Sequence, residues 1–103
     1  MKRVAIASTA GRLASAADAT ALLIIKIDRG EIISKEEVPF TSKTLEEVLR
    51  NVQAFVCRSP THTITEMCRE MSVSVITTDL LEIEDVIESI MNGKLPLSKE
   101  GEA

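Results

Sequence analysis

The sequence has no tryptophan and no tyrosine, and its aromatic side chains are Phe40 and Phe55 alone. Their scarcity excludes the stacking platforms on which single-stranded nucleic acids are bound and the aromatic cages that take quaternary ammonium groups. Positive charge is short as well. Twelve Lys and Arg stand against sixteen Asp and Glu, a formal net charge of −4, so no overall excess is available to neutralise a phosphate backbone. No nucleic-acid partner is expected. Two cysteines, Cys57 and Cys68, are too few for the disulfide framework of a small secreted domain, which points to reduced thiols and a cytoplasmic protein. Long hydrophobic runs are missing too. The stretch after Lys2 and Arg3 reaches only from Val4 to Ala7, short of the roughly 7 to 15 residues of a secretory signal. The run from Ala21 to Ile25 stops at Lys26, far below the roughly 20 residues of a membrane span, so no membrane association is expected. Finally, there is no Gly-rich phosphate loop, Gly-x-Ser-x-Gly elbow or His-Glu-x-x-His motif, and the chain is read as a non-enzyme.

What is present fits one compact domain. The 103 residues are 45% hydrophobic and 27% charged, enough to close a core without metals or disulfides. Lys2 to Ser8 reads as a strand, followed by a loop or short helix from Thr9 to Thr20. Ala21 to Asp28 and Glu31 to Val38 form a hairpin, because Arg29-Gly30 supplies the Gly that a tight turn requires, and Pro39 ends the second strand or sets it at a sheet edge. Thr44 and Glu47 have capping-box spacing, with Leu45, Val48, Leu49 and Val52 on one helical face. Ala54 to Cys57 is an all-apolar strand of the kind buried on both faces. Thr63 and Glu66 repeat the box and Ile64, Met67, Cys68 and Met71 repeat the stripe. A strand from Val73 to Thr77 and a helix lined by Ile83, Val86, Ile87 and Ile90 close the domain, the helix stopping at Asn92-Gly93. The expected architecture is a three-layer α/β/α domain over residues 1–95, order βββαβαβα, with a mixed five-stranded sheet and the first strand central. Residues 96–103 form a polar tail.

This order, together with Met-Lys-Arg-Val-Ala-Ile-Ala at the start, the hairpin Ile27-Asp28-Arg29-Gly30-Glu31-Ile32 and the closing Val86-Ile87-Glu88-Ser89-Ile90-Met91-Asn92-Gly93-Lys94-Leu95, resembles the dinitrogenase iron-molybdenum cofactor-binding family, the nitrogenase accessory factor-like proteins. The resemblance implies a ribonuclease H-like fold and a role in carrying or assembling metal clusters of the iron-molybdenum or iron-sulfur type. Two stretches depart from the family pattern. Ala16-Ala17-Asp18-Ala19-Thr20 stands where members tend to carry a His-Phe-Gly-Arg-like element, and Arg58-Ser59-Pro60-Thr61-His62-Thr63 replaces a Gly-rich turn.

A ribonuclease H-like fold raises the question of a nuclease, which needs carboxylates converging from neighbouring strands to hold metal ions. Lys2 to Ser8 and Ala54 to Arg58 contain none, so that activity is not expected. The soft ligands other than methionine are Cys57, His62 and Cys68, whose Cys-x4-His-x5-Cys spacing matches no zinc pattern. Cys68 lies on an apolar stripe and reads as core. Cys57 ends a strand, where open α/β sheets place their ligands, and His62 stands at a helix start beside Arg58. Since clusters of the resembled type are anionic, the expected site is a corner between the Thr9–Thr20 loop and the Arg58–Thr63 turn. Arg12, Arg58 and His62 would hold the cofactor's charge there, and Cys57 or His62 would ligate metal. The function expected is therefore that of a non-catalytic cluster carrier or accessory protein, or a degenerate relative of one. The alternative is a small interaction module without cofactor, a homodimer or the partner of another protein, docking through the sheet edge at Glu31 to Val38.

Overall fold

The computed structural model describes residues 2–93. Its elements are β1 (Lys2–Thr9), β2 (Arg12–Leu13), β3 (Ala21–Asp28), β4 (Glu31–Pro39), α1 (Ser42–Leu49), β5 (Ala54–Cys57), α2 (His62–Glu70), β6 (Ser74–Thr77) and α3 (Ile83–Met91). The polar tail expected over 96–103 lies outside the described residues. No helix among them is long and apolar enough to cross a membrane.

The sheet runs β4-β3-β1-β5-β6, so the first strand is central as expected. β1 is antiparallel to β3 and parallel to β5, and β6 extends the parallel half. Alternation along β1 explains the three layers. Val4 and Ile6 join Ile25, Val56, Ile76, Val86 and Ile90 in a core beneath α3. Ala5 and Ala7 join Leu22, Leu45, Leu49, Phe55, Ile64 and Cys68 in a second core beneath α1 and α2. The small Ala5 stands directly beside Phe55 across the parallel pair, which leaves room for the one fully buried aromatic ring. A strand covered on both faces must be apolar at every position, and β5 is buried from end to end.

Three expectations need correction. The sheet has six strands rather than five, because β2 returns antiparallel to β1 (Ser8↔Leu13, Thr9↔Arg12). The turn between them, Ala10-Gly11, has φ of 53° and 78°, the same doubly left-handed form as Arg29-Gly30 at 55° and 80°. Such a turn matches the strand twist and closes a hairpin with two residues. The first helix begins earlier than its Thr44–Glu47 spacing implies. Thr41 is the N-cap and Thr44 its reciprocal partner, each hydroxyl accepting the other's backbone N–H at 3.1 Å. The second helix is likewise capped two residues upstream of Thr63, by Thr61, which accepts from the Ile64 N–H at 3.1 Å. Both corrections have one cause: a hydroxyl two or three residues away competes for the same first-turn donors, and the backbone entry angle decides between them. At the other end, α3 stops at Asn92 and Gly93 takes φ of 74°, as the Asn-Gly pair implies.

Candidate functional site

The carboxyl ends of β1 and β5 are adjacent in the sheet, and the segments leaving them are tied together. The Arg58 N–H donates to the Ala14 carbonyl at 3.0 Å and the Ala16 N–H to the Ser59 carbonyl at 2.8 Å. Ser59 Oγ donates to Ser15 Oγ at 3.1 Å. On the far side the Ala14 N–H returns to the Ala7 carbonyl at 3.0 Å. The Thr9–Thr20 loop and the Arg58–Thr63 turn thus form one rim across the sheet. Ala16, in the stretch that departs from the resembled family, is buried and helps seal that rim.

On the rim, Arg58 and His62 are exposed. Among the described residues Arg58 meets no carboxylate within ion-pair distance. His62 is the first residue of α2. The Thr61 cap takes the Ile64 N–H, and the Thr61 carbonyl takes the Thr65 N–H, so the N–H groups of His62 and Thr63 have no acceptor among the described residues. They point outward at the positive end of the helix.

Arg12, on the same loop, is already paired. It belongs to β2, whose Leu13 packs in the core beneath α3, and its guanidinium Nε pairs with Glu82 at 3.3 Å. An isolated β-bridge between Arg12 and Glu82 and the Leu13 N–H bond to the Leu81 carbonyl (2.8 Å) hold it against the segment that enters α3. Among the described residues the basic rim side chains without a carboxylate partner are therefore Arg58 and His62.

Cys57 ends β5 at the expected place, yet its side chain turns inward. Phe55 and Cys57 share the α1/α2 face, and Cys57 and Cys68 are both fully buried there. Burial pushes the Cys57 thiol up to about 12, helped by the neighbouring Cys68, and burial pushes Cys68 up to about 11. At neutral pH both are thiols, not thiolates, and thiolates are what bind metal. No group of three or more His, Cys, Asp or Glu side chains is arranged to hold a metal ion among the described residues. The residues present do not fit a cluster ligated by this chain.

Sequence reasoning missed that a second helix contributes to this region. A groove of about 300 Å³ is lined by Ser42 at the start of α1, by Thr61 and Thr63 at the start of α2, and by Phe40, Leu45, Ile64 and Met67. Two helix N-termini therefore border one opening. The signal lay in Thr41-Ser42, hidden by the competing Thr44–Glu47 spacing.

No family model matches the chain, and no curated protein sequence does. Solved structures match its fold. A candidate dinitrogenase from Methanocaldococcus jannaschii, known from a crystal structure, superposes with a TM-score of 0.82 at 18% identity, over 96% of this chain and 96% of that one. Its NMR structure agrees, at a TM-score of 0.82. A candidate NifB protein of the DUF35 family from Thermotoga superposes with a TM-score of 0.72 at 20% identity, over 98% of this chain and all of the other. The dinitrogenase-like resemblance carried by the ends of the elements thus extends to the whole three-dimensional fold.

Proposed function

We propose that this chain is a non-catalytic accessory protein that carries an anionic metal cluster, of the iron-molybdenum or iron-sulfur type, by charge at the β1/β5 rim and without thiolate ligation. The observation that carries the reading is the contrast at the end of β5. Arg58, His62 and the N–H groups of His62 and Thr63 are outward and without an anionic partner among the described residues, whereas the thiols are sealed in the core. Unpaired N–H groups at a helix start favour a bound anion, and a guanidinium adds a full charge with several donors. The nitrogenase-related names of the structural neighbours make a cluster the anion of choice. No three ligating side chains gather at the rim among the described residues, so the cluster is cargo held by its own ligands.

The test is a titration of molybdate and of inorganic phosphate, followed by amide shifts in wild type and in Arg58→Ala/His62→Ala, beside an anaerobic absorbance spectrum with metal analysis. Saturable shifts confined to residues 58–65 and lost in the double variant support the reading. Shifts elsewhere, or unchanged in the variant, reject it. The second reading, a cofactor-free interaction module, rests on Ile33, half exposed on the edge strand β4. A metal-free protein with no anion response favours it.

A further inference from the structure

At the end of the sheet away from the rim, two cations stand opposed. Arg3 near the start of β1 lies directly across the antiparallel pair from Lys26 of β3. Each is two residues from a side chain of the α1/α2 core, Ala5 and Ile24, so both belong to that face of the sheet. Like charges set opposite one another across two strands repel. The strand is fixed at this point, because the Arg3 N–H donates to Gln53 Oε1 at 2.6 Å and the Arg3 carbonyl accepts from the Gln53 N–H at 2.9 Å. Both side chains are half-buried, and among the described residues neither meets a carboxylate within ion-pair distance.

The two cations border a cleft of about 370 Å³ between the sheet and α1, a volume suited to a small molecule. Ile24, Val38, Val48 and Val52 line it with branched aliphatic surface, and Glu36 of β4 and Glu47 of α1 border it as well. Neither carboxylate has a cation within ion-pair distance among the described residues, although Lys43 stands four positions before Glu47, whereas the adjacent Glu46 pairs with Arg50 at 2.9 Å. The uncharged polar groups of the cleft are engaged within the chain. Asn51 Nδ2 donates to the Glu47 carbonyl at 3.0 Å, and the Thr44 hydroxyl takes part in the cap of α1. What is left open to a ligand is two cations on inner strands, two carboxylates on the edge strand and the helix, and an apolar wall.

We propose that this cleft binds a free α-amino acid with a branched aliphatic side chain, a ligand of a different class from the anion at the rim. The charges select it. A simple anion relieves the repulsion between Arg3 and Lys26 but meets Glu36 and Glu47, and a simple amine does the reverse. A zwitterion answers both: its carboxylate accepts from the Arg3 guanidinium and the Lys26 ammonium, and its ammonium donates to the Glu36 and Glu47 carboxylates. The register sets how far apart the two charges stand. Glu36 lies opposite Ile24, two positions from Lys26, so the opposite charges of the site are diagonal neighbours with backbones about 7–8 Å apart, a gap that one α-carbon with its two charged groups spans. A longer zwitterion overshoots it. The alkyl side chain then lies against Val38, Val48 and Val52, where burial adds to the affinity.

Titration of L-leucine into the full chain, followed by amide shifts, tests this, with glycine, 4-methylpentanoate and L-leucinamide as probes that lack the side chain, the ammonium and the carboxylate in turn. The expected result is saturable shifts at residues 24–26, 36–38 and 47–52 with leucine, and binding weaker by about tenfold or more for each of the three analogues. Lys26→Gln and Glu36→Gln should fold and each weaken leucine by a similar factor, whereas Lys35→Gln, on the other face of β4, should bind it like wild type. Without ligand, Lys26→Gln should melt above wild type, since it removes one of two opposed cations. Absence of a saturable leucine shift, equal binding of 4-methylpentanoate or L-leucinamide, or retention of affinity in both Gln variants would overturn the proposal. So would a lower melting temperature of Lys26→Gln, because Glu36 would then be neutralising Lys26 across the strands. Rim and cleft lie at opposite ends of β1, so the molybdate and phosphate titration and the leucine titration are read at separate residues and either result stands whatever the other shows.

Discussion

At the residue scale, the informative pair is Cys57 and Cys68. A strand that looks like a ligand-bearing end carries its last side chain on the buried side, because Phe55 and Cys57 are two apart and share a face. Burial raises both thiols above their ordinary value of 9.0, to about 12 and about 11. The sign of the linkage follows. Above pH 9 the unfolded chain loses thiol protons that the folded chain keeps, so the folded state binds more protons and stability falls as pH rises towards the folded values. Each thiol contributes a slope of up to about 1.4 kcal/mol per pH unit. Below pH 9 this contribution is fully present. Urea denaturation of reduced wild type and of Cys57→Ala/Cys68→Ala, at pH 7.5 and at several values above 9, should show the stability gap between them narrowing with pH. A constant gap would mean that the thiols are not sealed. Native protein should also resist alkylation at both positions and react only on unfolding.

At the element scale, the helix starts are decided by hydroxyls that the chain offers in surplus. Thr41 and Thr44 cap α1 reciprocally, and Glu47 stands exposed on the surface. Thr41→Ala should cost about 1 kcal/mol in thermal or chemical denaturation, as should Thr61→Ala at α2, whereas Glu47→Ala should stay within about 0.5 kcal/mol. The reverse ranking would restore the Thr44–Glu47 start. α3 has no side-chain cap, and Glu84 and Asp85 in its first turn answer the helix dipole instead. Exchanging both for Gln and Asn should lower stability by a few tenths of a kcal/mol per charge at low ionic strength, an effect that added salt removes.

At the scale of the whole molecule, one sheet separates two cores that share only its backbone. Ile64 lies in the core beneath α1 and α2 and Ile90 in the core beneath α3. Each change to Val should cost about 0.5–1.5 kcal/mol, and the double variant should cost their sum within about 0.5 kcal/mol, measured by denaturant midpoints. A coupling larger than that would mean that the layers are not independent. Replacing Ile6, fully buried at the middle of the central strand, by Asp should prevent folding, since an unpaired buried charge costs on the order of the stability of the whole domain.

The sequence alone determined the layers. The all-apolar runs of β1 and β5 require cover on both faces, apolar positions three or four apart in the helices supply it, and Asp28-Arg29-Gly30-Glu31 and Asn92-Gly93 mark ends whose backbone demands left-handed residues. Those are local constraints, and local physics is written in local sequence. What the tertiary structure alone decided are matters of direction and competition. Ala10-Gly11 becomes a hairpin turn because β1 is there to receive β2. Arg12 has a carboxylate partner because the fold brings up Glu82, 70 positions away in the chain, while Arg58 and His62 meet none among the described residues. Cys57 turns inward because the neighbouring strands fix the phase of β5, and a short all-apolar run has no phase of its own.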